Sequence, residues 1–384
     1  MDHNKLFETV EALQSKYEQI FLDVCNIESP TDCKVGVDAV GEYFIERAKE
    51  LGLTVDVHEE HISGNAITLI LNSDSSERPV AISGHMDTVH PIGSFGYPAA
   101  HIADGKLYGP GAMDCKGGIV AGLMAMEALK ICGFDKRPIL LILQSDEENG
   151  SRNSNKGTVN YMSRIAKNAV AFLNCEGHTK GYIVLERKGI LKYEFRVKGK
   201  SVHASQCSSG ISAIAEAAHK ILELEKLKDG GEWGVTCNCG LIRGGSAENS
   251  VPAECIFTAD IRIISANDEV YVNDIVNRIA ATSYIEGSSC EVVLKSRRLP
   301  MPYCERNVAL FDKINGVFAL VGFPQHKPKK SSGGSDAADM TAAGIPTADN
   351  LGISGSNLHS VNEYAELSSL SECAKRLAAI AAFI

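Results

Sequence analysis

Four short apolar runs constrain the fold of this chain more than any other feature: Ala66–Leu71, Val80–Ser83, Ile139–Gln144 and Val170–Asn174. Unbroken hydrophobicity over so few residues predicts strands buried on both faces, the habit of parallel sheets. Between two of them, Gly117–Ile131 is rich in alanine, leucine and methionine and predicts a helix. Two more helices precede the strands. One spans 4–26, with Leu6, Val10, Leu13, Tyr17, Ile20 and Phe21 at three- and four-residue steps, and ends at Glu28-Ser29-Pro30-Thr31. The other covers 37–51 and stops at Gly52. Buried strands alternating with helices imply an α/β class with a mixed, largely parallel sheet flanked by helices. Reactive groups in such sheets gather where strands end and loops begin. Each apolar run here is followed by a polar motif.

The pattern changes after Gly189. Strands are predicted at 190–197, 235–242, 255–263 and 290–294, with helices at 212–227 and 268–284. Two helices on one face of an antiparallel sheet make a self-contained α+β unit. The first pattern then resumes with a helix at 307–321, a Gly/Ser loop at 331–335 and a last helix from 366. The organisation is therefore one domain at 1–189 and 296–384, with a second, 190–295, inserted in it. The run Lys327-Pro328-Lys329-Lys330 is expected to be a solvated loop.

At 384 residues, two domains are the natural expectation. A net charge of -10 argues against nucleic acid as a partner. No stretch approaches the roughly 20 apolar residues of a membrane span, and no signal-peptide apolar region follows the N-terminus. The twelve cysteines form no zinc-finger spacing and are expected to be reduced, mostly buried thiols of a cytoplasmic protein. Cys237-Asn238-Cys239 lies in a predicted strand, where alternate residues share a face.

Five side chains carry a metal-binding pattern: His85 in G-H-M-D-T-V, Asp114 in G-A-M-D-C-K-G-G, Glu148 in S-D-E-E-N-G-S, Glu176 in N-C-E-G-H and His359 in N-L-H-S-V-N-E. A two-metal hydrolytic centre needs few ligands per ion, an anionic bridge and an open position. Asp114, after a Gly-Pro-Gly turn, has two oxygens for the bridge. Each ion then receives one imidazole, from His85 or His359, and one carboxylate, from Glu148 or Glu176. Three carboxylates and a bridging hydroxide leave two divalent ions near neutral. Asp87, two residues after His85, suits the carboxylate that takes the second N–H of that imidazole. Glu147 diverges from Glu148 and suits a general base that moves a proton from water to a leaving nitrogen. Cys115, Cys175, His90 and His178 flank these motifs without a matching role.

These motifs resemble the zinc metallopeptidase family of carboxypeptidase G, acetylornithine deacetylase, succinyl-diaminopimelate desuccinylase, aminoacylase and peptidase T. The likeness covers nearly the whole length and is strongest to the carboxypeptidase G (glutamate carboxypeptidase) type, through K-L-Y-G-P-G-A-M-D-C-K-G-G, E-R-K-G-I and G-G-S-D-A-A. The resemblance implies that His85, Asp114, Glu148, Glu176 and His359 hold two Zn2+ per subunit, with Co2+ or Mn2+ as substitutes. It implies Asp87 as the orienting carboxylate and Glu147 as the base. His203, in K-G-K-S-V-H-A-S, matches a histidine that stabilises the tetrahedral oxyanion. Asn249, Arg262, Gly334 and Ser335 match positions that contact substrate, and Arg297 or Arg298 lies near where relatives place an arginine for the substrate carboxylate. The inserted domain becomes a ferredoxin-like lid that mediates a homodimer. A cis peptide at Asp114–Cys115 is also implied.

The expected activity is hydrolysis of a peptide or amide bond next to a C-terminal amino acid by metal-activated water, as in a carboxypeptidase or dipeptidase. An N-acyl amino-acid deacylase is the alternative enzyme, since one metal centre performs both reactions. A catalytically silent dimeric scaffold is the non-enzyme alternative; it would normally have lost a ligand or the base, and neither is missing.

Overall fold

The computed structural model describes residues 1–228 and 231–384. The chain divides into two compact units, one of Met1–Leu185, Tyr303–Lys330 and Ser335–Ile384, the other of Glu186–Pro302 and Ser331–Gly334.

In the first unit the four apolar runs enter a six-stranded sheet. Strands β1 (Thr54–His58), β2 (Ala66–Leu71), β3 (Val80–His85), β4 (Ile139–Gln144) and β5 (Ala171–Asn174), with the short strand Thr347–Ala348, lie in the order β1-β2-β4-β3-β5-Thr347–Ala348. β3 runs parallel to β4 and β5, and Thr347–Ala348 parallel to β5, while β1 and β2 close one side antiparallel. β3 and β4 are buried at every position, as their unbroken hydrophobicity requires. β1 is the strand that the apolar runs do not announce. Its T-V-D-V-H sequence is an edge strand with mostly exposed side chains, so it carries no apolar stretch.

Helix α1 (His3–Asn26) buries Leu6, Val10, Tyr17, Ile20, Phe21 and Val24 along one stripe. Helix α2 (Lys34–Glu50) follows it. Helix α3 (Gly117–Ile131) is buried from Gly117 to Leu129 and apolar along that stretch except at Glu127, which Lys16 and Tyr17 of α1 satisfy. α1, α3 and the last helix, Ser368–Phe383, share one core cluster with the sheet. A second, four-stranded sheet joins His101–Ala103, Lys106–Tyr108, Tyr364–Glu366 and Gly355–Ser356. The segment Lys327–Ser331 is not a loop: it is a strand paired with Tyr182–Arg187. Its lysines are exposed, so charge alone misleads there; pairing in a two-stranded ribbon satisfies the backbone without burying side chains.

The second unit runs β6 (Gly189–Lys198), α4 (Ala213–Leu224), β7 (Thr236–Gly244), β8 (Glu254–Ile263), α5 (Ala266–Ala281) and β9 (Ser289–Arg298). The sheet order is β7-β8-β6-β9, all antiparallel. This is the βαββαβ ferredoxin-like arrangement. Alternate residues of β8 are buried, including Phe257, whose ring stacks on Phe195 of β6 at 4.6 Å. α5 begins before Asp268 because Ser265 caps it: the Ser265 side chain accepts from Asp268 N, and the Asp268 side chain accepts from Ser265 N.

Candidate metal centre

β3 has neighbours on both sides in parallel register, His85 opposite Gln144 of β4 and Ser83 opposite Asn174 of β5. His85, the acidic turn after Gln144 and the Cys175-Glu176 segment after Asn174 therefore leave the sheet side by side. The small sheet supplies the rest. Lys106–Tyr108 leads into Asp114, and Tyr364 pairs with Tyr108, so the loop holding His359 is brought to the Asp114 segment from far along the chain. Gly111 turns with a φ of 74°, a left-handed value open to glycine. Gly118 lies against Cys175: a Cβ there would stand 2.3 Å from the Cys175 carbonyl oxygen. That contact seats α3 directly beneath Glu176. The Asp114–Cys115 peptide is cis, as the resemblance implies.

The five residues meet as two groups of three. His85, Asp114 and Glu176 place donor atoms within 4.8 Å of one another, as do Asp114, Glu148 and His359. Asp114 belongs to both. Its Oδ1 lies 3.0 Å from His85 Nε2 and its Oδ2 3.2 Å from His359 Nε2. His359 Nε2 is also 3.5 Å from Glu148 Oε2, and His85 Nε2 is 3.9 Å from Glu176 Oε1. His359 holds a φ of 60°, in the left-handed region that residues with a Cβ seldom occupy.

This donor set fits divalent cations. His85 Nδ1 is 2.9 Å from the Asp87 carbonyl oxygen, which can only accept, so Nδ1 bears the proton and Nε2 presents a lone pair. That lone pair faces a carboxylate oxygen, and two lone pairs converge stably only on a positive charge. Without a cation, protons fill the role. Hydrogen bonds to Asp114 and then Glu148 raise His359 to about 10. Burial, with Asp114 and Glu147 nearby, pushes Glu148 up to about 7. Asp114 is held well below the usual carboxylate range: burial opposes this, but hydrogen bonds from His359 and His85 outweigh it. Metal binding displaces such protons.

Asp87 is fully buried and does more than its spacing suggests. Its Oδ1 is 3.4 Å from His85 Nδ1, farther than its own carbonyl oxygen. The carboxylate instead accepts from Glu147 N and Glu148 N, both at 3.1 Å, and from Thr31 Oγ1 at 2.7 Å. One residue thus orients the imidazole through its carbonyl oxygen and fixes the backbone of the Glu147-Glu148 pair through its carboxylate. Two further residues are missed by sequence reading. Thr31 appears there only as a helix terminator. Glu363, in the H-S-V-N-E segment, is 1% exposed and accepts from Met113 N and Asp114 N at 2.8 and 3.1 Å. It also meets His90 Nε2 at 3.0 Å, which gives that histidine a partner. A buried acid so close to the His359 motif was the available signal. Cys115 accepts from His85 N at 3.0 Å, and burial pushes its thiol up to about 12, so it is a neutral neighbour of the cluster. His178 is occupied by the Asn350 carbonyl at 2.7 Å.

A protein-family profile, Peptidase family M20/M25/M40, matches residues 81–382. The chain belongs to this family. Carboxypeptidase G2 of Pseudomonas sp. (strain RS-16) is 26% identical over 374 residues, covering 96% of this chain and 89% of that protein. Acetylornithine deacetylase of Myxococcus xanthus is 28% identical over 293 residues, covering 73% of each. Among solved structures, a tripeptidase of Staphylococcus aureus superposes with a TM-score of 0.79 at 23% identity, covering 96% of this chain and 97% of that one. The chain is accordingly a hydrolase of the metallopeptidase and amidohydrolase class.

The other site residues expected from the M20 resemblance are held differently. In the second unit His203 is exposed, and its Nδ1 engages Ser205, at 2.8 Å from Oγ and 3.3 Å from N. Ala204 N donates to Asn249 O at 2.8 Å, so His203 and Asn249 are neighbours. Arg262 forks onto Asp260, Nε to Oδ1 at 2.6 Å and Nη2 to Oδ2 at 3.0 Å, and its Nη1 donates to Ser332 O. Arg297 pairs with Glu269. Gly334 packs against Arg298: a Cβ there would meet Cδ at 2.5 Å. Ser335, in the first unit, is 2% exposed; its hydroxyl donates to Asp349 and accepts from Asn174.

Proposed function

We propose that this M20 hydrolase is a dinuclear-zinc exopeptidase of the carboxypeptidase type, cleaving a peptide or amide bond next to a C-terminal amino acid. The observation that carries the reading is the pair of three-donor groups sharing Asp114. His85, Asp114 and Glu176 would hold one ion, and Asp114, Glu148 and His359 the other. Bound there, zinc supplies Lewis acidity that polarises the substrate carbonyl and lowers the pKa of water. Nitrogen and oxygen donors also accept Co2+ or Mn2+.

The chain's own residues do the rest. Glu147 takes the proton of the attacking water and delivers it to the leaving nitrogen. Asp87 sets the position of Glu147 through its backbone N–H and the tautomer of His85 through its carbonyl oxygen. Glu363 holds the Asp114 loop by two N–H groups. His203 is the group we assign to the developing oxyanion, and Asn249, Arg262, Gly334 and Ser335 are assigned to substrate. For Arg262 the assignment requires one face of the guanidinium to leave or extend its fork on Asp260.

A peptidase is favoured over a deacylase by the near full-length likeness to carboxypeptidase G2. The shorter likeness to acetylornithine deacetylase keeps N-acyl amino acids as the second reading. A homodimer through the second unit is supported by edge strand β7, whose Leu241 and Ile242 are 62% and 53% exposed; light scattering after size exclusion measures it. The test of function is hydrolysis, by zinc-loaded protein, of C-terminal dipeptides and acyl-glutamates against N-acetylated amino acids. Preference for the first group supports the carboxypeptidase reading, and preference for the second replaces it with the deacylase.

A further inference from the structure

We infer that Glu225, Cys237 and Cys239 of the second unit form a separate metal site, built for a thiophilic divalent cation such as Zn2+ or Cd2+. The described residues contain three groups of converging metal donors. Two share Asp114 and consist of nitrogen and oxygen. The third brings two thiol sulfurs and a carboxylate oxygen within 4.8 Å of one another.

The fold makes this convergence by breaking a ladder. β7 pairs regularly with β8 up to Asn238 opposite Asp260, slips, and resumes at Leu241 opposite Thr258. Such a bulge re-aims a side chain and frees a backbone group. Here the freed Cys239 N–H donates to Glu225 Oε1 at 3.0 Å. Glu225 follows the last residue of α4 and opens the turn Glu225–Leu227. The carboxylate is therefore fixed toward the thiols by the backbone of one of them. A helix C-terminus, with its partial negative charge, adds to the attraction for a cation.

Size, access and charge agree with this assignment. Tetrahedral donors at a Zn–S distance of about 2.3 Å stand about 3.8 Å apart, so modest side-chain rotations close the site. Cys237 is 2% exposed, whereas Glu225 and Cys239 are half-buried. One side is thus open for a fourth ligand from solvent. Two thiolates and a carboxylate around a divalent ion leave one negative charge. Lys228, ion-paired with Glu225, supplies the offsetting positive one. On binding, both thiols release their protons to solvent, and no oxidant or reductant is consumed. Sulfur donors prefer softer ions than the Asp114 cluster does, so the two sites differ in kind. The bound ion would tie the end of α4 to the edge strand β7.

The test is a Cd2+ titration of the metal-stripped full chain, its thiols kept reduced by a phosphine. Ultraviolet thiolate-to-cadmium charge transfer is the readout, because ligands of the Asp114 cluster contribute no thiolate. A band that saturates at one equivalent is expected in the unaltered protein and is expected to be lost in Cys239→Ser. Glu225→Gln should weaken binding about tenfold or more, on the scale at which removal of a metal-positioning group acts. Both altered residues are half-buried, and a thermal melt verifies that each variant is folded. No band in the unaltered protein, a band of equal intensity in Cys239→Ser, or unchanged affinity in Glu225→Gln overturns the site.

Discussion

In the first unit, the buried carboxylate of Asp87 accepts three hydrogen bonds from residues far apart in the chain. In the second, the exposed imidazole of His203 engages, among the described residues, only Ser205, two residues on. The contrast separates two ways of placing a reactive group. At the candidate metal centre Asp87 and Asp114 are each held by several partners, so much of the constellation is pre-set by the fold. In the second unit His203 is held only locally, while Arg262, another expected substrate contact, is tied to Asp260 and Ser332. A buried ion pair there is structural. Lys220 and Glu216 pair at 2.9 Å and are 1% and 0% exposed. Lys220 also donates to the Ile279 and Ala280 carbonyls at the end of α5, and Glu216 accepts from Tyr284 N and Ile285 N. Changes in the first unit should therefore remove chemistry, and changes in the second should split cleanly into loss of stability or loss of rate.

The largest effect is expected at Glu147. Glu147→Gln keeps the backbone N–H that Asp87 holds but removes the base, and turnover should fall by about 10²–10⁴-fold with metal content unchanged. Kinetics together with elemental analysis check both halves. Full activity in this variant would break the assignment of the base and leave the donor groups standing.

Next is Glu216→Ala, which leaves the Lys220 ammonium buried without its partner. Breaking such a pair costs about 3–5 kcal/mol, read by chemical denaturation, with metal content at the Asp114 cluster unaffected. The same pair predicts acid sensitivity. Burial raises the Glu216 pKa, but the hydrogen bond from Lys220 and those from Ile285 and Tyr284 outweigh it, leaving it below its ordinary 4.5. Between the folded and unfolded values the unfolded chain binds the extra proton, so stability rises with pH there. The contribution is complete above pH 4.5 and is lost as pH falls through the folded value. Glu216→Ala should flatten that part of the stability profile.

What the sequence discloses follows from how local each feature is. The strands and the central helix α3 are legible as apolar runs, and four of the five candidate donors that the structure brings together stand at the end of such a run or beside a glycine turn, His359 being the exception. Thr31 and Glu363 are not legible in that way. Each acts on a group 56 and 249 residues away, respectively, and only the strand order and the small sheet bring those pairs together. The split role of Asp87 is half legible: its two-residue offset from His85 points to the imidazole, but nothing local points to the N–H groups of Glu147 and Glu148. The Lys327–Ser331 strand escapes for the opposite reason, since its lysines are exposed and only its backbone is paired.

His203→Ala comes third. Loss of a group that steadies an oxyanion costs about 10²–10³ in kcat, or 2.7–4 kcal/mol of barrier, and the exposed side chain gives up only its local contacts with Ser205 among the described residues, so the unit should stay folded. The kcat should therefore fall while the melting temperature and metal content stay constant. A fall in metal content equal to the fall in rate would turn His203 into a structural residue and erase the contrast between the units.

The smallest expected effect sharpens the contrast most. Thr31→Val keeps the shape of a buried side chain and removes one donor to Asp87 Oδ2. A hydrogen bond to a charged group contributes about 1.5–3 kcal/mol, so the fold should survive with a measurable loss of stability. The Glu147 and Glu148 N–H groups still hold the carboxylate, and the Asp87 carbonyl still holds His85 Nδ1. Thr31 thus acts one step further from the metal than Asp87 does. Removing a group that orients a ligand directly costs about 10–100-fold in metal affinity, so the Thr31→Val loss should be below about tenfold. Competition with a chelator measures it. A loss as large as that of Asp87→Ala would mean that the three hydrogen bonds act as one unit, with the carboxylate swinging away once any of them is cut. A smaller loss would mean that the redundancy of the first unit protects its chemistry from single changes at its periphery.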